Sequence, residues 1–506
     1  YIATGDRDAW DNRSIGVLKS NDSGMTWNTT GLSFTIFEGR MVNRLLQDPT
    51  NKDIIVAATS IGVFKTNDGG ETWNTQMTGT EFIDMEFKPG NPGIIYASTK
   101  NGQIYISTDG TTFSGPVYSD GNASRIELAV SPAQPEWVYA LAANGESGLY
   151  GIFKSIDSGA TFNEVFSGST KNMLGWESQG TDSGGQGWYD LSLATSPFDA
   201  DIILLGGVNC WRSLDGGLNW SIANHWWGDM VQAVHADKHK LAYRSNGDLF
   251  ECSDGGVYMS SNNGGSWTDK TNGIQISQMY RLGVSQTESE DIITGLQDNG
   301  TKLHTGDTWS DVRGGDGMEC LIDYTDVNIQ YGTVYFGQID RTTNHWQSSQ
   351  NITPPDEGAW VTPYIIDPND PNTLYGGYNE VWKTTDRGDN WEQISSFDPN
   401  GQLLSMGIAA SDSRYLYVAT YNQIWKTING GAEWTAITNN LPTGGANIEY
   451  ISVKHDDPNT VWVALSGFGN PGVYQTVDGG ASWTSISAGL PPIPVYSVVE
   501  NKQNLD

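Results

Sequence analysis

The amino-acid sequence predicts an all-β protein built from four-stranded antiparallel β-propeller blades. An eight-residue phrase, Ser/Thr-x-Asp-x-Gly-x-Thr/Ser-Trp, returns along the whole chain. Each period also contains short β-branched and aromatic runs bounded by Gly, Pro, Asn and Asp, which is the pattern of short antiparallel strands. Four strands in each period of roughly 45 residues are typical of a propeller blade. Long amphipathic helical segments are essentially absent.

The phrase occurs in nine clear copies, two of which carry Phe in place of Trp. The copies are SNDSGMTW (20–27), TNDGGETW (66–73), STDGTTF (107–113), SIDSGATF (155–162), SLDGGLNW (213–220), SSNNGGSW (260–267), TTDRGDNW (384–391), TINGGAEW (427–434) and TVDGGASW (476–483). Two weaker copies end at Trp309 and Trp346. With these two, the mean spacing is about 46 residues, so each copy marks one predicted blade.

The phrase has a structural rationale as the turn between the third and fourth strands of a blade. The Asp accepts hydrogen bonds from the amides of the turn, the Gly adopts positive φ, and the Trp buries its ring between sheets. The alternative is a calcium loop, but the phrase lacks the further oxygen ligands and the terminal Glu of an EF-hand. The structural interpretation therefore applies to the aspartate of the phrase in the seven copies that carry one, here called the box aspartates: Asp22, Asp68, Asp109, Asp157, Asp215, Asp386 and Asp478.

The charge balance limits the partners. The 506 residues include 59 acidic and 27 basic side chains, for a formal charge of −32. A Lys/Arg stripe that would neutralise phosphates is absent, which argues against nucleic acid and against anionic membranes. The 3 cysteines are too few for a disulfide scaffold and lack zinc spacing. No apolar run approaches the roughly 18 residues of a membrane span, and the opening YIATGD is expected to follow a leader that has been removed.

The nine copies resemble the Asp-box, or bacterial neuraminidase repeat. Their density resembles sortilin-type propellers and the family-74 glycoside hydrolases, the xyloglucanases. Phrases such as GQGWYDLSLATSP, GLQDNGT and GGDGMECLIDY resemble large secreted Bacteroidetes proteins that end in type IX secretion sorting domains. The resemblance implies a secreted propeller scaffold. It does not by itself imply an activity, because the Asp-box belongs to the scaffold.

Eleven blades exceed one common propeller of roughly four to eight. We therefore expect two seven-bladed propellers in tandem, the first in residues 1–275 with an incomplete or missing N-terminal blade, and the second in residues 276–506 with C-terminal blades missing. Residues 1–6 align with second strands of other blades, and residues 494–503 resemble a first strand. The alternative is a single large sortilin-like ring of 10–11 blades, which the terminal strands would close.

Carboxylates at the ends of second strands are the candidate catalytic groups. Most of these loops lack a carboxylate, but three carry one: Asp6, Asp254 and Asp298. In family-74 xyloglucanases the same loop contains a catalytic Asp-x-Gly-Gly-type segment, and one such carboxylate comes from each propeller to act as base or acid. The resemblance thus implies Asp298 as the acid, with Asp254 as runner-up and the first-propeller base in a missing blade. The alternative is that these residues cap Gly-rich turns.

His235, Asp237 and His239 alternate in VHADKHKLAY, so an extended segment would place all three side chains on one face. Two histidines with a carboxylate between them can bind a metal or transfer a proton. The competing interpretation, which we favour, is a polar loop between blades whose histidines bond neighbouring carbonyls. No cofactor is expected to be required, and Ca²⁺ or another divalent cation stays an open alternative.

Other loops pair aromatic rings with polar groups. Such pairs suit sugars, because aromatic faces pack on C–H surfaces while amides and carboxylates bond hydroxyls. Burial of the same rings between blades is the alternative. The candidate ligand-binding residues, beside His235, Asp237 and His239, are Trp188, Asp190, Asn299, Asp316, Glu319, Glu357 and Trp360.

These observations favour a secreted or cell-surface propeller of a bacterium that binds a polysaccharide or an extracellular protein without catalysis. The first alternative is a xyloglucanase-like endo-acting glycoside hydrolase, and the second is a structural subunit of a self-assembling extracellular complex. A sialidase is disfavoured, because its arginine triad is not evident and the net charge repels acidic sugars. Walker-type phosphate loops and Gly-x-Ser-x-Gly elbows are also absent.

Overall fold

The predicted all-β class is confirmed. A computed structural model describes residues 1–274, 276–397, 401–469 and 472–502, and in these residues the strands form ten four-stranded sheets and one three-stranded sheet. Within each sheet, strands that follow one another in sequence pair antiparallel. The chain divides into two compact units, unit 1 (Tyr1–Ile274) and unit 2 (Gln275–Asp506).

Unit 1 contains six sheets and a short 3-10 helix at Ile36–Glu38. In sheet order, its strands are β1 (Ile2–Ala3), β2 (Gly16–Lys19) and β3 (Asn28–Ser33); β4 (Val42–Gln47), β5 (Ile55–Thr59), β6 (Gly62–Thr66) and β7 (Asn74–Thr78); β8 (Phe82–Lys88), β9 (Asn91–Thr99), β10 (Gln103–Ser107) and β11 (Phe113–Ser119); β12 (Ala123–Ser131), β13 (Gln134–Asn144), β14 (Leu149–Ser155) and β15 (Asn163–Ser167); β16 (Ser192–Thr195), β17 (Ile203–Gly206), β18 (Cys210–Ser213) and β19 (Ser221–Asn224); β20 (Lys238–Tyr243), β21 (Leu249–Ser253), β22 (Gly256–Ser260) and β23 (Thr268–Asp269).

Unit 2 contains five sheets and a 3-10 turn at Tyr335–Gly337. In sheet order, its strands are β24 (Met279–Val284), β25 (Ile292–Leu296), β26 (Gly300–Thr305) and β27 (Thr308–Arg313); β28 (Gly317–Ile322), β29 (Gln330–Val334), β30 (Gln338–Thr342) and β31 (Gln350–Asn351); β32 (Tyr364–Asp367), β33 (Asp370–Gly377), β34 (Val381–Thr384) and β35 (Glu392–Gln393); β36 (Ser405–Ile408), β37 (Leu416–Ala419), β38 (Ile424–Thr427) and β39 (Thr435–Ala436); β40 (Ile448–Val453), β41 (Val461–Leu465), β42 (Val473–Thr476) and β43 (Thr484–Ser485).

The core of each unit lies between consecutive sheets. In unit 1, β4, β8, β12, β16 and β20 pack one against the next, and in unit 2 β24, β28, β32, β36 and β40 do the same. A middle strand such as β13 is apolar on both faces because a sheet covers each side, and Leu141 on β13 packs in one cluster with Leu205 and Trp211 of the following sheet. Each interface removes a continuous apolar surface from water.

The recurring phrase forms the predicted self-capped turn, as its copy around Asp68 shows. The Thr72 amide donates to Oδ1 of Asp68 over 3.0 Å, and the Thr72 hydroxyl donates to Oδ2 over 2.5 Å. Gly70 has a φ of 92°, and its amide donates to the Thr66 hydroxyl over 3.0 Å. The indole of Trp73 donates to the Gly70 carbonyl over 3.2 Å. Residues of the turn thus satisfy many of its polar groups, whereas the backbone of Gly69 bonds residues outside the turn.

All seven box aspartates accept hydrogen bonds from amides of their own turn. The pattern around Asp68 recurs at Asp22, Asp157, Asp215, Asp386 and Asp478, whereas Asp109 accepts from the two amides at Thr111 and Thr112. Asparagine performs the same role in three further copies, at Asn262, Asn344 and Asn429. The structural interpretation of the phrase matches these contacts.

Several sequence expectations differ from the structure. Trp346 does not end its box but occupies the glycine position, where its amide donates to the Thr342 hydroxyl over 2.9 Å, and Ser348 provides the amide that Asn344 caps. Trp309 does not end a box, because β26 and β27 meet in a two-residue turn in which Gly306 has a φ of 59°. Residues 494–502 form no strand, although Val495 donates to the Leu465 carbonyl over 3.2 Å. The expectation that Tyr1–Asp6 contains a strand is met by β1, which pairs with β2. Within the described residues, no helix is long and apolar enough to span a bilayer.

Candidate functional site

A carboxylate–imidazole cluster lies at the ends of strands of unit 1. His239, on β20, places Nδ1 3.2 Å from Oδ2 of Asp8 and Nε2 2.9 Å from Oδ1 of Asp254. The phenol of Tyr189 donates to Oδ2 of Asp254 over 2.9 Å, and its ring meets the His239 ring edge-on with centroids 4.6 Å apart. Asp8 follows β1 and Asp254 follows β21. The cluster therefore joins groups from distant parts of the sequence.

Two arginines support the Asp8 side of this cluster. Nη2 of Arg125 lies 2.9 Å from Oδ1 of Asp8 and 3.0 Å from Oε1 of Glu127. Arg7 adds a second contact to Glu127, with Nη2 2.6 Å from Oε1. Nη1 of Arg125 donates to the carbonyls of Trp188 and Tyr189, each over 3.0 Å. Arg125 thus fixes both the acid and the loop that carries the two aromatic rings.

The electrostatics of the cluster favour charged forms. Burial acts to raise the pKa of Asp8, but the His239 hydrogen bond and the Arg125 charge outweigh it and hold the pKa below its usual range. Burial acts to lower the pKa of His239, yet its contacts with Asp254 and Asp8 raise the pKa to about 10. His239 is consequently an imidazolium at neutral pH and compensates two carboxylates at once.

The expected shared face of His235, Asp237 and His239 does not form. Strand β20 begins only at Lys238, and Asp237 has a φ of 64°, which breaks the extended alternation. His235 instead packs on Gly255, where an added Cβ would lie 2.1 Å from the imidazole Cγ. Among the residues that the structure describes, these three side chains do not gather as a set of metal ligands.

Asp190 and Asp237 form a second acidic pair in unit 1. Asp190 is fully buried, and burial raises its pKa well above the usual value, with the Asp237 carboxyl adding to the shift. Burial also raises the pKa of Asp237. The side-chain amide of Gln186 donates to Oδ1 of Asp237 over 2.7 Å. The pair consequently retains a proton to higher pH than isolated carboxyl groups would.

An open cavity of about 370 Å³ adjoins Asp8 and Arg125 in unit 1. Its walls include the indoles of Trp10 and Trp188, which are 39% and 54% exposed. Trp10 has a φ of 65°, a backbone conformation that costs a bulky residue about 1–3 kcal/mol. Such strain is concentrated at functional sites. The Nζ of Lys100 lies 4.2 Å from the centroid of the Trp10 ring.

In unit 2, Asp298 lies in the tight turn between β25 and β26. It has a φ of 59°, and its amide donates to Oδ1 of Asp316 over 2.6 Å. The side-chain amide of Asn299 donates to the Gln297 carbonyl over 3.1 Å. The structure therefore brings Asp298, Asn299 and Asp316 together, and the turn holds Asp298 in a left-handed conformation that asparagine and aspartate tolerate.

An aromatic group of unit 2 lies beside this turn. The Tyr280 phenol donates to Oε1 of Gln297 over 2.9 Å and accepts from Nε1 of Trp360 over 3.1 Å. The Trp360 ring, which is 44% exposed, stacks on Tyr335 with centroids 5.4 Å apart and meets Phe336 edge-on. Trp360 is therefore not buried between sheets.

The remaining acidic candidates, Glu319 and Glu357, differ in burial and in their contacts. Oε2 of Glu319, on β28, lies 3.4 Å from Nε of Arg281. Burial nevertheless outweighs the Arg281 charge and raises the Glu319 pKa to about 7. Glu357 is exposed, and its neighbour Asp356 accepts hydrogen bonds from Asn379 and Trp382 instead. Glu319 can therefore hold a proton near neutral pH, whereas Glu357 is a solvated side chain.

Sequence reasoning missed several residues of the unit 1 cluster. Asp6 was singled out in its loop, but Asp6 caps the turn by accepting from the amides of Asp8 and Ala9. The acid that reaches the cluster is Asp8, two positions later. Arg125 and Lys100 carried no signal, because isolated cations on strands and turns are common. The Trp10 and Tyr189 rings, each beside an acidic residue, were the available signal.

No protein-family model and no curated protein matches the chain. Solved structures do: an ancestral GH74 enzyme is 14% identical with a TM-score of 0.51, over 96% of this chain and 83% of that one. The chain has a β-propeller fold. The GH74 xyloglucanase of Xanthomonas campestris is 14% identical with a TM-score of 0.45, over 96% and 84% of the two chains. The GH74 enzyme of Niastella koreensis is 16% identical with a TM-score of 0.43, over 93% and 81%.

Proposed function

We propose that the protein binds a polysaccharide and hydrolyses its glycosidic bonds, as an endo-acting, xyloglucanase-like glycoside hydrolase. The observation that carries this proposal is the arrangement in unit 2, where the Asp298 turn lies beside the exposed Trp360 ring through Gln297 and Tyr280. A carboxylate beside an exposed aromatic ring can bond the hydroxyls of a sugar whose C–H face packs on that ring.

Unit 1 supports the same function with its own aromatic cavity. Trp10 and Trp188 are exposed at the walls of the space next to Asp8. Apolar side chains exposed together at one cavity can mark a ligand-binding groove. A glycan-binding role accounts for the exposure of both rings. It also accounts for the strained backbone of Trp10.

Hydrolysis of a glycosidic bond requires two carboxyl groups. One, as an acid, protonates the departing glycosidic oxygen, and the other, as a carboxylate, activates water or attacks the anomeric carbon. We assign Asp298 as one catalytic group, with Asp254 as the runner-up. Glu319 is the candidate for the protonated partner, because it lies on β28, which packs against the strand β25 that leads into the Asp298 turn, and burial raises its pKa to about 7.

The test is the release of reducing ends from neutral β-glucans, including xyloglucan. The unaltered chain should hydrolyse at least one of them, and Asp298→Asn should lower the rate by at least about 100-fold, the usual contribution of an acid or base. Asp386→Asn is the matched control, because Asp386 caps a box turn of the same unit. Full activity in Asp298→Asn would contradict the assigned role.

Binding without hydrolysis is the outcome that would overturn the proposal. Titration of the same glucans against the unaltered chain separates the two cases. Association with no turnover would return the protein to the non-enzymatic binding role that the sequence favours. We further infer that the protein acts outside the cell on a polysaccharide, where its acidic surface supports solubility.

A further inference from the structure

We propose that the cavity of unit 1 recognises the carboxylate of an acidic sugar, through Lys100, while the sugar ring lies against Trp188. The inference builds on the proposed glycan function and specifies the class of ligand for one cavity. The cavity lining combines the ammonium of Lys100, the carboxylate of Asp8 and two exposed indoles. The charged groups differ in how fully other residues of the protein already compensate their charges.

The charge of Asp8 is already compensated within unit 1. Its Oδ1 lies 2.9 Å from Nη2 of Arg125, and its Oδ2 lies 3.2 Å from Nδ1 of His239. Arg125 is itself saturated, since it also contacts Glu127 and two backbone carbonyls. An incoming ligand therefore meets neither a bare carboxylate nor an available guanidinium at this side of the cavity.

The charge of Lys100 is less fully compensated than that of Asp8 or Arg125. Its ion-pair partner among the described residues is Glu81, with Nζ 3.9 Å from Oε1, and within this part of the chain its ammonium donates no hydrogen bond. Its side chain is only 24% exposed, and the Trp10 ring covers one side. A partly desolvated ammonium whose carboxylate partner is 3.9 Å away is weakly compensated, and a carboxylate from a ligand would add a charge-assisted hydrogen bond.

The two indoles specify the rest of the ligand. Trp188 is 54% exposed, and its backbone is fixed by the hydrogen bond from Arg125 to its carbonyl. An exposed indole on a fixed backbone, in the same cavity as a cation, suits a ring with an apolar face and an anionic edge. A uronic acid within an oligosaccharide has both features, and the local ammonium offsets the repulsion that the net charge exerts on acidic sugars. A neutral sugar gives Lys100 no anionic partner beyond the Glu81 carboxylate.

The experiment compares an oligogalacturonate with the same oligosaccharide after reduction of its carboxyl groups, by calorimetry and quenching of tryptophan fluorescence. The protein carries Asp298→Asn, so that turnover does not interfere. We expect the acidic form to bind at least about ten-fold more tightly than the reduced form. Lys100→Met should remove this preference, and Trp188→Ala should weaken both forms. Lys52→Met, at an exposed lysine of the same unit, is the control for net charge.

Equal binding of the two forms, an undiminished preference in Lys100→Met, or no binding of either form would overturn the inference. Thermal unfolding of each variant verifies that it is folded. The hydrolysis assay on neutral β-glucans is independent of this result. Hydrolysis without preference for the acidic form would contradict only the inference, and preference without hydrolysis would contradict only the proposed enzymatic function.

Discussion

Nε2 of His239 lies 2.9 Å from Oδ1 of Asp254, so a charged ring on β20 holds a carboxylate at the end of the adjacent strand β21. The same ring reaches Asp8 through its other nitrogen. One imidazolium thereby links the first segment of the chain to the last sheet of unit 1. Its removal leaves two carboxylates that are each deprived of a partner.

Replacement of His239 by leucine is expected to destabilise unit 1 by about 1–3 kcal/mol, because it removes one charged partner from each of two mostly buried carboxylates. Denaturant unfolding followed by tryptophan fluorescence measures the loss. His304→Leu is the control, since the His304 ring bonds a backbone carbonyl, that of Glu290. Equal losses in the two variants would show that the ion pairs contribute nothing particular.

The same histidine predicts a loss of stability in alkali. Its pKa is about 10 in the folded protein and about 6.5 in unfolded chains. A raised pKa contributes stability that is complete below about pH 6.5 and disappears as the pH rises through about 10. The free energy of unfolding should therefore fall between these pH values, and the fall should be smaller in His239→Gln. A flat profile for the unaltered protein would contradict the charged state.

Box aspartates should tolerate asparagine and not alanine. Asn262, Asn344 and Asn429 already occupy the position in three copies and accept the same amide hydrogen bond. Asp215→Asn keeps the acceptor and loses only the charge, so it should lower the melting temperature less than Asp215→Ala, for which we expect about 2–4 °C, the shift for about 1 kcal/mol in a domain of this size. Differential scanning calorimetry distinguishes the two. A loss in Asp215→Asn as large as in Asp215→Ala would make the charge, and not the acceptor, essential.

The box aspartates also predict a loss of stability at a lower pH than carboxyl groups with ordinary pKa values would cause. Hydrogen bonds from their own turns, led by those of Thr26, Thr161 and Asn390, lower the pKa values of Asp22, Asp157 and Asp386 to about 2, whereas an unfolded aspartate has a value of about 3.9. Depressed values contribute stability that is present above about pH 4 and is lost as the pH falls to about 2. Thermal unfolding between these pH values should show the decline. A triple Asp→Asn variant at these positions should show a shallower one.

Gly255 is expected to be intolerant of a side chain. A Cβ there would lie 2.1 Å from Cγ of His235, so Gly255→Ala forces the imidazole or the backbone to move. We expect a loss of about 1–3 kcal/mol, the usual range for overpacking. The double variant with His235→Ala should recover part of that loss in a denaturant titration. Additive losses would show that the two residues do not compete for the same space.

The fold was predictable because its signals are local. A box such as 66–73 carries the side chains that cap its own turn, and the short apolar strands around it have one period. The departures are equally local: Gly306 allows a two-residue turn where a decayed box was expected, and Asp237 breaks an extended segment by its positive φ. Both changes depend on single backbone conformations that composition and periodicity do not specify.

The candidate site was less predictable, because its groups converge from distant segments. Asp298, in the turn between β25 and β26, and Asp316, in the loop between β27 and β28, were both named from sequence, yet the direct hydrogen bond between them was not foreseen. In unit 1, Asp6 caps its own turn by accepting from the Asp8 amide, and Asp8 is the acid that reaches the cluster. Which of two nearby acids faces a cavity depends on one turn, and sequence patterns of one chain do not resolve that choice.

The self-closed hairpins have a consequence for how such a chain can change over time. Each box fixes the connection between the last two strands of its sheet with atoms of its own eight residues. The opposite ends of those strands, where Asp8 and Asp254 lie, receive no hydrogen bond from the box. New side chains or insertions can therefore be tried in those loops one sheet at a time, while the architecture that displays them stays intact.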